Sequence, residues 1–158
     1  MNATIPIRRN MKQWPKPWEF TIRAARNEEG ETIRHLVDET TRRYGWETPQ
    51  GDWNRIAPFW YIAIIEEEIL GALQVCLGWP FGRIEFLSVR QGLSRTKRAK
   101  IVKALIYHVF HAMVVDGTPI VMVTIPREDE EFTRILERWG FRYAMQGKML
   151  FYSLPSQR

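Results

Sequence analysis

The sequence predicts a mixed α/β fold: a mostly antiparallel sheet of six to seven strands, flanked by about four helices, with one parallel β-α-β crossover over 84–125. Three observations predict it. Short runs rich in β-branched and aromatic residues recur between clear breakers, as at Phe59–Ile65, Ile69–Leu77 and Ile84–Val89. Two segments have helical periodicity, 27–44 and the stretch after Val89, where Ile101, Val102, Leu105, Val109 and Met113 share one face. The second helix lies between the strands Ile84–Val89 and Ile120–Ile125. A crossover of that length makes its two strands parallel.

At 158 residues the chain is long enough for one domain with a sizeable core. Its 23 Lys and Arg against 18 Asp and Glu give a net charge of +5. That suits an anionic ligand or surface without requiring nucleic acid. The only cysteine, Cys76, excludes an internal disulfide and a cysteine-based zinc site; in its apolar run it reads as a small core hydrophobe. No stretch approaches the roughly 18 apolar residues of a membrane span, and no apolar segment follows the N-terminal basic residues. The expectation is a cytoplasmic protein with no membrane partner.

In chain order, residues 1–19 carry Pro6, Pro15 and Pro17 with Trp14 and Trp18. They read as an extended arm, laid over its own domain or docked on a partner, and 20–158 as a single domain. Phe20–Ala25 alternates apolar and polar residues as a half-buried strand does. Asn27 is placed to cap a helix to about Tyr44, with Ile33, Leu36, Val37, Thr40 and Tyr44 on the inner face. Gly45–Pro58 reads as a loop whose Trp46 and Trp53 either line a pocket or cover the core. Phe59–Ile65 and Ile69–Leu77 form a hairpin around Glu66–Glu68, and Gly78, Pro80 and Gly82 punctuate the next turn. Gly117-Thr118-Pro119 ends the long helix. Glu128–Glu131 opens a last helix to about Trp139, stopped by Gly140, and Phe141–Met145 with Lys148–Ser153 closes the chain as a hairpin.

Between the strand Ile84–Val89 and the body of the long helix lie Arg90, Arg95, Lys97, Arg98, Lys100 and Lys103, with no acid before Asp116. A strand that turns into a helix presents unpaired backbone N–H groups at the positive end of the helix dipole. Basic side chains add charge there. A phosphorylated ligand is the first reading; the phosphate backbone of a nucleic acid, met by the same 90–103 stretch, is the alternative.

FTIRAAR at 20–26 followed by a helix, IEFLSV at 84–89 followed by the basic turn and helix, and FTRILERWGF at 132–141 occur in an order that resembles the GNAT superfamily of acyl-CoA-dependent N-acyltransferases. The resemblance covers about residues 20–154. It implies a cofactor loop of the form Arg/Gln-x-x-Gly-x-Gly/Ala, whose N–H groups hold the coenzyme A pyrophosphate. The corresponding residues are Ser94, Arg95, Thr96, Lys97, Arg98 and Ala99. Ala99 fits. Ser94 departs from Arg/Gln, and Lys97 replaces the middle glycine, either crowding the phosphate or supplying charge. The resemblance also implies that the pantetheine arm pairs along Leu87, Ser88 and Val89, where an N–H polarises the thioester carbonyl. The family's late-helix tyrosine, which protonates the leaving thiolate, falls on Leu136, and its asparagine seven residues earlier on Asp129. Leucine cannot donate a proton, so another group or water does, or the chain does not catalyse transfer. Tyr143 and Tyr152 are the weaker candidates for that role.

Glu85 stands where the family often places a glutamate. It reads as the base that takes a proton from an ammonium, or as an edge charge paired with a neighbouring arginine. His35, His108 and His111 lack metal-ligand spacing, so no metal is expected. The function expected is acyl-CoA-dependent N-acyl transfer, with acetyl-CoA or another acyl-CoA as cosubstrate and a small-molecule or protein amine as acceptor, the 45–60 loop shaping its pocket. The alternatives are a catalytically silent GNAT-like binding or structural protein, of a kind some bacteriophages encode, and a nucleic-acid-binding or nucleic-acid-modifying member. A homodimer is compatible with each.

Overall fold

The computed structural model describes residues 19–78, 80–125 and 130–142. They fall into two compact units, one within 13–124 and one containing Ile125 and 130–142. The expected arm with Trp14 and Trp18, Asp129, and the terminal hairpin with Tyr143 and Tyr152 lie outside the described residues.

The first unit is a five-stranded sheet in the order β1-β2-β3-β4-β5. The strands are β1 (Thr21–Ala24), β2 (Trp60–Ile65), β3 (Glu68–Cys76), β4 (Phe81–Val89) and β5 (Ile120–Val123). The first four pair antiparallel, and β4 with β5 parallel, as the crossover requires. The β2–β3 turn places Glu66 and Glu67 at φ 46° and 69°, the backbone of a tight primed hairpin turn, here made without glycine.

Helix α1 (Gly30–Arg43) covers one face of the sheet. Ile33, Leu36 and Val37 pack there with Trp60, Ile62 and Ala72. The sequence places the helix start at Asn27, but residues Asn27–Glu29 form a 3-10 turn, and Glu29, not Asn27, satisfies the entry by accepting from the Arg26 N–H at 2.7 Å. The 45–58 loop also contains more structure than its breakers suggest. Asp52 accepts from the Asn54 N–H (3.2 Å) and caps a short helix, α2 (Trp53–Ile56), followed by a 3-10 turn over Ala57–Phe59. The two loop tryptophans divide: Trp53 is 3% exposed and belongs to the core, Trp46 is 46% exposed and stacks on Tyr44.

The long helix α3 (Arg95–Val115) covers the other face. It lies so close to β3 that a Cβ on Gly71 would stand 2.6 Å from Ile101 Cγ2. Ile101, Ala104, Leu105, Ile106, Val109 and Met113 are buried, whereas Val102, expected inside, is only half-buried. Gly117 closes α3 at φ 77°, with Thr118 N–H bonded to the Met113 carbonyl and Gly117 N–H to that of Val114. Among the described residues no helix is long and apolar enough to cross a membrane.

In the second unit, helix α4 (Glu130–Arg138) has Glu130 and Glu131 in its first turn. It ends as α3 does: Phe141 N–H bonds to the Leu136 carbonyl and Gly140 N–H to that of Glu137. That pattern explains the Gly-Phe at the end of FTRILERWGF.

Candidate functional site

The site is built on β4. Against β3, Leu87 pairs with Leu73 and Ile84 with Val75. Two β4 residues, Glu85 and Phe86, therefore stand opposite one β3 residue, Gln74. This bulge turns Glu85 and Phe86 to the same side, the α1 face, where Phe86 lies 6.4 Å from the Trp60 ring. Glu85 is half-buried and paired with Arg83 at 3.1 Å. The ion-pair reading of Glu85 is thus realised; such a pair also fixes where a carboxylate base points.

On its other side β4 pairs with β5 only from Phe81 to Ile84. The last link, from Thr124 N–H to the Ile84 carbonyl, has lengthened to 3.5 Å. Glu85–Val89 then has β3 as its only strand partner among the described residues. Arg90 N–H bonds to the Leu70 carbonyl on the β3 side. Because backbone groups alternate along a strand, the amides of Val89 and Leu87 face the open side. Ser88 between them is fully buried, and its hydroxyl has no hydrogen-bond partner among the described residues.

The open strand leads into α3. The segment expected as a cofactor loop, Ser94–Ala99, is not a loop: Ser94 is the N-cap, its Oγ accepting from Lys97 N–H at 3.2 Å, and Arg95 begins the helix. The turn proper is 90–94, held down where Gln91 N–H donates to Glu39 Oε2 at 3.3 Å and where Arg90 pairs with Glu68. The first turn of α3 has no acid. Lys97, Arg98 and Lys100 have no ion-pair partner among the described residues. Cations at a helix N-terminus oppose its dipole, so the arrangement is relieved by an anion. A shallow depression of about 390 Å³ runs along this edge, bounded by Arg95, Thr96, Ala99, Lys100 and Lys103.

A second cavity, of about 170 Å³, lies on the α1 face between Val37, Ile56 and the 49–53 turn, and the side chains of Trp53, Trp60, Gln74 and Phe86. Trp53 and Trp60 are 6.0 Å apart, so the three rings form a row. The side-chain amide of Gln74 makes no hydrogen bond among the described residues. The bulge thus puts Glu85 on the same face as Phe86, which lines a cavity that periodicity did not reveal.

No protein-family model matches the chain, and no curated protein is similar to it in sequence. Solved structures are similar to it in fold. A transcriptional regulator from Bacillus halodurans has a TM-score of 0.69 at 19% identity, with 84% of this chain and 99% of that one covered. An aminoglycoside acetyltransferase from an uncultured soil metagenomic sample has a TM-score of 0.63 at 17% identity, over 86% and 97%. An aminoglycoside N-acetyltransferase solved in complex with CoA also has a TM-score of 0.63, at 16% identity, over 89% and 97%. The chain has the GNAT fold.

On that fold Leu87, Ser88, Val89 and Ser94–Ala99 form one continuous path, from the open side of β4 onto the start of α3. Glu85 lies on the same strand, and Leu136, the position of the family's tyrosine, is a buried residue of α4. His108 stacks on Tyr61 at 5.3 Å, and burial, then the neighbouring His111, lowers its pKa. Among the described residues no group of three or more His, Cys, Asp and Glu is placed to hold a metal ion.

Proposed function

We propose that the protein is an acyl-CoA-dependent N-acyltransferase acting on an amine, with acetyl-CoA as the first candidate cosubstrate, 20–158 as its acyltransferase domain and 1–19 as an arm. One observation carries the reading: among the described residues the parallel ladder of β4 stops at Ile84, and the strand's open amides run directly into a cationic helix start. The residues present fit such a ligand. The amides of Leu87 and Val89 suit an extended, amide-bearing arm, and the Thr96 N–H with Lys97, Arg98 and Lys100 suits its phosphates.

When bound, the cosubstrate supplies an acyl group activated as a thioester. Glu85 takes a proton from the acceptor ammonium, and Arg83 holds the carboxylate in place. The freed nitrogen pair forms the C–N bond as the C–S bond breaks. The nitrogen then sheds its second proton, while the sulfur keeps the electron pair of the C–S bond and takes up a proton, giving an amide and a thiol. A β4 amide within Leu87–Val89 stabilises the charge that builds on the carbonyl oxygen. Ser94, Arg95 and Ala99 complete the phosphate site; the likeness to the family adds Asp129, outside the described residues, as a candidate. Proton return to the thiolate falls to water or to a group other than Leu136.

Calorimetric titration of acetyl-CoA and of free coenzyme A, at two salt concentrations, tests this. One-site binding that weakens with salt is expected, and Arg95→Ala with Lys97→Ala reduces it. No heat and no thermal shift at saturating cofactor overturns the reading.

A second reading is a silent binding protein of the same fold. Leu136 favours it, because a buried leucine cannot return a proton. Cofactor binding without turnover over a broad amine screen would select it.

A further inference from the structure

The cavity on the α1 face is large enough to choose an acceptor. We infer that it takes a primary amine carried on a single ring or a short apolar body of similar size, and that it does not take a polycationic sugar. For the reaction this rests on the acyltransferase reading above; for binding it rests on the cavity alone.

Size sets the first limit. The space is about 170 Å³. An apolar cavity of roughly 150 Å³ binds benzene, so one ring fills this one. A sugar of several rings would leave most of itself outside.

The lining sets the second. Trp53, Trp60 and Phe86, with Ile56 and Val37, give walls that are aromatic or aliphatic. Such walls favour a flat apolar group at their edges and faces, and a cation over the rings. The polar groups are few. Gln74 offers an amide with no hydrogen-bond partner among the described residues. Among the described residues Asp52 is the single carboxylate lining the cavity, with Oδ1 taking the Asn54 N–H at 3.2 Å. One carboxylate balances one ammonium, and three or four ammonium groups would be left uncompensated.

Position supplies the third. Gln74 and Phe86 line the cavity, and Glu85 adjoins Phe86 across the same bulge from Gln74. A ring seated against the row of Trp53, Trp60 and Phe86 thus has the Gln74 end of the cavity for its amine, on the face of β4 that also carries Glu85.

The test titrates benzylamine and kanamycin into the full chain, alone and with saturating coenzyme A, and repeats both with Ile56→Trp, which fills the cavity. Benzylamine is expected to bind at one site more tightly than kanamycin, and at least tenfold more weakly to Ile56→Trp, whose coenzyme A affinity is unchanged. If Ile56→Trp lacks a native melting transition, Gln74→Leu carries the test. It is expected to weaken benzylamine several-fold and leave toluene unaffected. Equal benzylamine affinity in wild type and in the folded variants, or tighter kanamycin binding, overturns the inference. The two readings separate: acetyl-CoA binding with no benzylamine site sinks this inference alone, and benzylamine binding with no acetyl-CoA site sinks the acyltransferase reading alone.

Discussion

Gly30 and Trp53 meet backbone to backbone: a Cβ on Gly30 would stand 2.4 Å from the carbonyl carbon and oxygen of Trp53 and 2.5 Å from the Asn54 nitrogen. The first turn of α1 is therefore the seat on which α2 rests, and α2 presents Trp53 to the cavity. Gly30→Ala forces two main-chain segments apart, which no side-chain rotation relieves. A loss of about 3 kcal/mol is expected, at the upper end for overpacking. It is read as a lowered denaturation midpoint, with weaker binding of any ligand of the cavity.

This contact also marks where the sequence stops being legible. The strands, the α1 and α3 periods and the parallel crossover follow from patterns that every residue of an element repeats. The site depends on exceptions to those patterns. A bulge is one extra residue; in IEFLSV nothing distinguishes it from regular alternation, yet it decides that Glu85 and Phe86 share a face. Gly30 looks like an unremarkable helical glycine, because the chain that needs its missing side chain lies 23 positions away at Trp53. Ser94 has the side chain of a helix cap, but the likeness to a cofactor loop assigns it to a phosphate site rather than to the cap it forms. The basic helix start was legible as charge, since a run of Lys and Arg with no acid before Asp116 is a property of the sequence itself; the tie of Gln91 to Glu39, 52 positions away, was not.

Glu29 links β1 to the entry of α1. Arg23 reaches its two oxygens at 2.8 and 2.6 Å, and the Arg26 N–H adds a third bond at 2.7 Å. The Arg23 hydrogen bonds hold the Glu29 carboxyl below its usual pKa, against the opposing effect of burial. A carboxylate whose folded pKa is depressed contributes stability that is complete above its unfolded pKa, about 4.3, and is lost as pH falls through the folded value. Glu29→Gln should therefore melt below wild type at pH 7, with the gap narrowing as pH falls from about 4.3 toward acid unfolding. A gap of constant size across that range would show that the pair contributes nothing through ionisation.

Lys97 stands where the fold's relatives are expected to use a glycine amide for the pyrophosphate. Here that amide already donates to Ser94 Oγ, so the main chain at 97 has little left to offer a phosphate, and the side chain has charge. Lys97→Ala keeps the helix and removes the charge. It should weaken coenzyme A about tenfold, equivalent to about 1.4 kcal/mol, and flatten the salt dependence. Ser94→Ala should lower stability by about 1 kcal/mol, as loss of a cap does, and free the amide. If Lys97→Ala instead tightens binding, the lysine obstructs the phosphate and the charge argument fails.

Arg83 and Glu85, 3.1 Å apart, lie two positions apart just before and within the bulge. The pair separates a structural from a chemical role for Glu85. If the carboxylate served only Arg83, Arg83→Ala and Glu85→Gln would have similar effects, small because the arginine is largely exposed. If Glu85 is the base, the two differ. Glu85→Gln keeps the shape, removes the proton acceptor, and should lower kcat by about 10²–10⁴ with coenzyme A affinity unchanged. Arg83→Ala leaves the base in place but loosely held, and should lower kcat only a few-fold. Steady-state kinetics of both variants with a primary amine acceptor decide it, and equal kcat for Glu85→Gln and wild type removes Glu85 from the chemistry.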